Sequence, residues 1–132
     1  MKNLRQGMVS IFLVQAINNK HIHVKGSKDR YRDLVYIEDA AEAFLCALKR
    51  EDNSYDVFNV STGIKTTVED LISGICRYLP FKVTVEYSGS TLGDQFGIYG
   101  DFEKITRALG WKPKHALDNG LRAMVEWVLH NK

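Results

Sequence analysis

Apolar positions recur along this chain with two periods, one helical and one alternating, and the changes between them divide it into short segments. From Asn3 to Asn19 the residues Leu4, Met8, Ile11, Phe12 and Ala16 fall at helical spacing, with Val9, Leu13, Val14 and Ile17 crowding the flanks, so a helix apolar nearly all round is expected there. A helix of that kind needs partners on more than one side. Ile22 to Val24 reads as a short strand, Gly26 to Arg32 as a polar loop, and Leu34-Val35-Tyr36 as a second strand. Glu38 and Asp39 then open a helix to about Arg50, with Ala40, Phe44, Ala47 and Leu48 expected on its buried face. Asp56 to Val60 has the composition of a strand and runs into the turn residues Ser61-Thr62-Gly63. Thr66 and Glu69 stand at capping-box spacing before Val68, Leu71, Ile72, Ile75, Cys76 and Leu79, a clear helical stripe that Pro80 ends. Lys82 to Tyr87 alternates as a half-exposed strand, and Ser88 to Gly100 forms a long glycine-containing loop. Asp101 caps a short helix ending at Gly110, Trp111 follows, and Leu117 to Leu129 closes the chain as an amphipathic helix.

Helices alternating with a few short strands indicate an α/β fold, or an α+β-like fragment of one, because the strands are too few and too short for a complete doubly wound sheet. With 132 residues, 45% of them hydrophobic and 26% charged, the chain has the proportions of a single globular domain spanning residues 1–132. No stretch approaches the roughly 18 apolar residues of a membrane helix. The net charge of +2 arises from 18 basic and 16 acidic residues that are interspersed, which is not the basic stripe of a nucleic-acid-binding protein. Cys46 and Cys76 fall on apolar helix faces as free thiols, and a soluble, cytoplasmic protein is the expectation.

Candidate chemistry is concentrated in two places. Lys25, Lys28, Arg30 and Arg32 lie within eight residues and could grip an anion, since guanidinium groups match phosphate oxygens in pairs. In the glycine-containing loop, the Asp94 carboxylate could accept hydrogen bonds from sugar hydroxyls. His21 and His23 share a strand face but have no evident acidic or cysteine partners, so no metal site is expected. Tyr78 and Lys82 match a Tyr-x-x-x-Lys pair in letters only, because Pro80 between them forbids the helical turn that would stack the two side chains. No glycine pair has the spacing of a phosphate-cradling loop, and no credible acid, base or nucleophile stands out.

Three ordered segments resemble the extended short-chain dehydrogenase/reductase enzymes, the NAD-dependent nucleotide-sugar epimerases and dehydratases such as UDP-glucose 4-epimerase. They are Arg32-Asp33-Leu34-Val35-Tyr36-Ile37-Glu38-Asp39-Ala40; Phe58-Asn59-Val60-Ser61-Thr62-Gly63 with Thr67-Val68-Glu69-Asp70-Leu71; and Gly93-Asp94, Asp101 and Leu109-Gly110-Trp111-Lys112-Pro113. The resemblance covers nearly the whole chain. It implies the small substrate-binding domain of such an enzyme, a fragment from which the NAD-binding Rossmann half is absent. Arg32 is then expected at a phosphate of a nucleoside-diphosphate sugar, Asp94 near the ribose hydroxyls, and His23, Val24 and Lys25 near the base. NAD is expected in the missing N-terminal domain, where the catalytic residues would also lie, so the fragment alone should be inactive. Two positions depart from the family pattern: Thr91 stands where an arginine often shares the diphosphate, a role then open to Lys28 or Arg30, and Ile98 stands where some epimerases carry an aromatic. Within the family a 4-epimerase is the leading expectation, with a 4,6-dehydratase, a sugar reductase or a stand-alone nucleotide-sugar-binding module as alternatives. The apolar helix from Met8 to Ile17 is expected to face the missing domain and to promote self-association of the fragment.

Overall fold

A computed structural model describes residues 7–52, 55–90, 93 and 95–131. Its helices are α1 (Met8–Asn19), α2 (Ile37–Leu48), α3 (Val68–Arg77), α4 (Glu103–Leu109) and α5 (Leu117–His130), and its strands are β1 (His21–Lys25), β2 (Tyr31–Arg32), β3 (Thr66–Thr67) and β4 (Thr84–Ser88). This mixture of helices with few, short strands is the α/β fragment expected. Two compact units arise, one of Met1–Arg30, Thr67–Phe96 and Leu121–Lys132, the other of Tyr31–Thr66 and Gly97–Gly120.

In the first unit β1 and β4 pair in parallel, with Ile22 opposite Val85 and Val24 opposite Tyr87. Ile22 and Val24 are wholly buried while His21 and His23 are only partly so, which is the alternation a one-sided sheet requires. α1 packs on β1 and on α3. The apolar excess of α1 is absorbed inside this unit: Phe12, Leu13 and Ala16 are buried, and none of its large apolar side chains is exposed. The expectation that α1 presents apolar surface outward is therefore corrected. α3 starts one residue later than the sequence suggested. Thr66 is a buried strand residue, so Thr67 is the N-cap, its Oγ1 accepting from Asp70 N at 3.0 Å. Val68, Leu71, Ile72 and Ile75 are buried as the stripe predicted, and α3 ends at Arg77. Tyr78 lies past that end and Lys82 beyond Pro80 outside any helix, so no stacked Tyr–Lys pair forms.

The second unit has a core of Ala43, Ile105 and Trp111, joined by Cys46, Phe58, Phe102 and Leu109. Phe102 meets Trp111 edge to face at 6.5 Å, and the indole N–H donates to the Asp39 carbonyl at 2.9 Å, so the largest buried side chain leaves no polar atom unsatisfied. Three sequence expectations change in this unit. The strand at residues 34–36 is absent and the chain pairs earlier, at β2, because Asp33 turns its side chain into the neighbouring loop and Tyr36 becomes the extended N-cap of α2. Residues 56–60 form no ladder: Val57 N donates to Asp56 Oδ1 and Val57 O accepts from Lys104 Nζ, so side chains occupy the groups a neighbouring strand would use. α2 is turned the other way round from the expectation. Asp39 and Ala43 are its buried residues, while Ile37 (74%), Phe44 (73%), Leu45 (57%) and Leu48 (80%) stand exposed.

Candidate functional site

β2 places Arg32 and Asp33 side by side at the start of a strongly organised segment. Asp33 Oδ1 accepts from Thr62 N at 2.8 Å and from Thr62 Oγ1 at 2.6 Å, and Oδ2 accepts from Gly63 N at 2.9 Å and Gly100 N at 3.2 Å. Four neutral donors thus satisfy this carboxylate, and two stretches distant in sequence, residues 62–63 and Gly100, are tied to the residue next to Arg32. Gly100 sits there by necessity, since a Cβ on it would lie 2.6 Å from that of Ser61. The Arg32 guanidinium donates to the Tyr31 carbonyl at 2.8 Å. Such a carbonyl contact orients the guanidinium. Asp33 was legible in the sequence as part of the Arg32–Ala40 segment but not in its clamping role, because nothing at residue 33 announces donors about thirty and seventy positions away.

A second buried carboxylate, Asp39, organises the turn before α5. Its Oδ2 accepts from His115 N at 3.0 Å and Lys114 N at 3.2 Å, and the His115 ring Nδ1 lies 2.8 Å from Oδ1. The ring packs on Tyr36 at 4.7 Å. Burial pushes the Asp39 carboxyl up, but the His115 ring and the two backbone N–H groups outweigh it and hold the group below its ordinary value of 3.8. An ionised, fully enclosed carboxylate with these partners is a structural anchor.

The other residues singled out by sequence are placed as follows. His23, Val24 and Lys25 occupy the C-terminal half of β1 in the first unit, with Val24 wholly buried, so only its backbone can face a ligand. The His23 ring is hydrogen-bonded to Ser88 Oγ and its backbone N–H donates to Gln15 Oε1. Arg32 belongs to the second unit. Asp94 and Thr91 lie outside the described residues. Lys28 is committed to Glu69, both carboxylate oxygens lying 3.0 Å from its ammonium, and Arg30 donates to the carbonyls of Lys25 and Ser27. His21 is joined to Thr84 and Glu86, and among the described residues no three metal-binding side chains converge. α2 to α5 each carry an acid in the first turn, which disfavours an anion at those helix starts. No helix among the described residues is long and apolar enough to cross a membrane.

Comparison with known proteins matches residues 5–124 to the family model of GDP-mannose 4,6 dehydratase. A dTDP-4-dehydro-6-deoxyglucose reductase of Escherichia coli is 32% identical over 94% of this chain and 39% of its own length. A putative UDP-glucose 4-epimerase of Methanocaldococcus jannaschii is 32% identical over 95% of this chain and 40% of its own length. Among solved structures, the UDP-glucose 4-epimerase of Thermotoga maritima with UDP-glucose superposes with a TM-score of 0.82 at 32% identity, covering 98% of this chain and 42% of that one. The UDP-glucuronic acid 4-epimerase of Bacillus cereus, in complex with UDP-glucuronic acid and NAD, shares the fold at a TM-score of 0.88 and 21% identity, covering 96% and 41%. The chain thus spans about two fifths of the length of the relatives it matches. On the family match and on these identities, the chain belongs to the GDP-mannose 4,6 dehydratase family, the nucleotide-sugar epimerases and dehydratases.

Proposed function

We propose that this chain is the nucleotide-sugar-binding part of an NAD-dependent nucleotide-sugar epimerase, with a 4-epimerase the leading reading. The observation that carries the proposal is the Arg32–Asp33 pair. Asp33, held by Thr62, Gly63 and Gly100, fixes the backbone beside Arg32, and a guanidinium fork matches a phosphate. Arg32 is assigned to a phosphate of the nucleoside diphosphate. Asp94 is assigned to the ribose hydroxyls, and the His23–Lys25 stretch to the base. The epimerase reading is supported by the 32% identity to the Thermotoga maritima enzyme; the reductase or dehydratase reading is kept because the Escherichia coli reductase is equally similar.

In this division of labour the cofactor belongs to a domain outside the chain, and NAD supplies the hydride chemistry there. The chain contributes orientation and remote binding energy, which accelerate a reaction when they are realised at the transition state. The surface turned to that domain is assigned to the second unit. α2 exposes Ile37, Phe44, Leu45 and Leu48 at helical spacing, and the extended residues 55–60 expose Tyr55, Val57 and Val60 without a partner strand. An α/β sheet adjoining this unit would cover both. The assay is turnover by the protein joined to an NAD-binding domain of the family, with UDP-glucose and dTDP-glucose as substrates and the product identified by NMR. Inversion of the hydroxyl at C4 supports the epimerase. A 4-keto product that has lost the C6 hydroxyl as water indicates the dehydratase, and absence of turnover on every nucleotide sugar favours a binding module.

A further inference from the structure

We propose that Lys65, held between the rings of Tyr31 and Tyr99, is a second cationic contact for the diphosphate of the nucleotide sugar, acting beside Arg32. The proposal rests on the assignment of Arg32 to a phosphate. The Lys65 ammonium lies 4.6 Å from the centroid of Tyr99 and 5.3 Å from that of Tyr31, and the two rings are 6.4 Å apart and tilted by 59°. The cage is built into the backbone. Tyr31 bridges to Gly97, and a Cβ on Gly97 would lie 2.2 Å from the Tyr31 ring, so the ring occupies space that only glycine leaves open.

Lys20 lies over Phe81 and Lys104 over Phe58, whereas Lys65 is set against two rings. Lys28, Lys104 and Lys114 each meet a carboxylate, from Glu69, Asp56 and Glu42 respectively. Lys65 meets no carboxylate among the described residues and is fixed by aromatic faces, which attract the cation through the ring quadrupole and leave its formal charge and its N–H donors in place. Placement adds to this. Asp33 clamps Thr62 and Gly63, which carry the chain to Lys65, and Gly100, which follows Tyr99. One carboxylate therefore positions the neighbourhoods of Arg32, Lys65 and Tyr99 within the second unit. An uncompensated, pre-positioned ammonium loses little side-chain freedom when an anion arrives, which is the usual reason such a contact strengthens binding.

The test titrates UDP into the 132-residue chain and into Lys65→Gln, Lys65→Arg, Tyr99→Phe and Arg32→Ala, at low and at moderate salt. Lys65 and Tyr99 are exposed, so these substitutions leave the fold intact, and unchanged melting curves verify this. A hydrogen bond to a charged group corresponds to roughly tenfold or more in affinity. Lys65→Gln is expected to weaken UDP binding about tenfold and to flatten its salt dependence, while Lys65→Arg and Tyr99→Phe retain most of the affinity. UDP binding that survives Lys65→Gln but collapses in Arg32→Ala overturns the role of Lys65 and leaves Arg32 standing. If the wild-type chain does not bind UDP, or Arg32→Ala binds as well as wild type, the phosphate assignment falls and the Lys65 proposal falls with it.

Discussion

Asp33 and Asp39 lie six positions apart and differ in what meets their charge. Asp33 is surrounded by neutral donors, whereas Asp39 is enclosed with the His115 ring against it. Asp39 therefore links stability to pH. Its value in the folded protein is depressed below 3.8, so its contribution is complete above that pH and is lost as the pH falls through the depressed value. The acid limb of a melting-temperature profile should show this loss. Asp39→Asn is expected to flatten that limb and to cost about 2–4 kcal/mol at neutral pH, because an amide presents a donor where three donors already point. An Asp39→Asn protein as stable as wild type at pH 7, with the same acid limb, would remove the anchor role. For Asp33→Ala the prediction is loosening of residues 62–63 and of Gly100, seen as faster amide exchange there, with little change at α3.

Among the elements, those with one clear apolar face were legible in the sequence. The α3 stripe and the amphipathic α5 read correctly, with Val68, Leu71, Ile72 and Ile75 of the one and Leu121, Val125 and Val128 of the other buried. α2 misled because its sequence carries two competing faces. The larger one, with Phe44, Leu45 and Leu48, is exposed, while the smaller one, Asp39, Ala43 and Cys46, turns inward to Trp111. A periodicity argument chooses the greasier face, and here a buried carboxylate anchored by His115 decides otherwise. Residues 56–60 have strand composition without a ladder for a related reason, since composition records affinity for a sheet and not whether one is present. If α2 is a docking face, Phe44→Gln with Leu48→Gln should reduce self-association of the chain while leaving its melting temperature within about 2 °C, in line with the small effect of exposed substitutions. A fall of many degrees would mean that these side chains belong to the folded core. The capping assignment of α3 is equally specific: Thr67→Ala should cost about 1 kcal/mol through loss of its N-cap hydrogen bond to Asp70 N. Equal stability of wild type and Thr67→Ala in urea melts would contradict it.

The molecule as a whole consists of two units built from interleaved parts of one chain, and it spans about two fifths of the length of its relatives. In the proposed function this scale contributes binding, which the sequence suggests in Arg32 and its flanking motif more clearly than in any pattern of elements. Lys65 was not legible, because its distinction lies in two tyrosines 34 positions away on either side of it in the chain, at Tyr31 and Tyr99. The chain by itself is expected to bind nucleoside diphosphates without NAD-dependent turnover. The most direct test is calorimetric titration of UDP and dTDP into the wild-type chain, Arg32→Ala and Arg32→Lys, with melting temperatures recorded for each. The account predicts saturable binding by wild type, a loss of roughly ten- to a hundredfold in Arg32→Ala, and partial recovery in Arg32→Lys, which keeps the charge and discards the fork, with melting temperatures unchanged. Undiminished nucleotide affinity in Arg32→Ala, or a lowered melting temperature as its only effect, would contradict it.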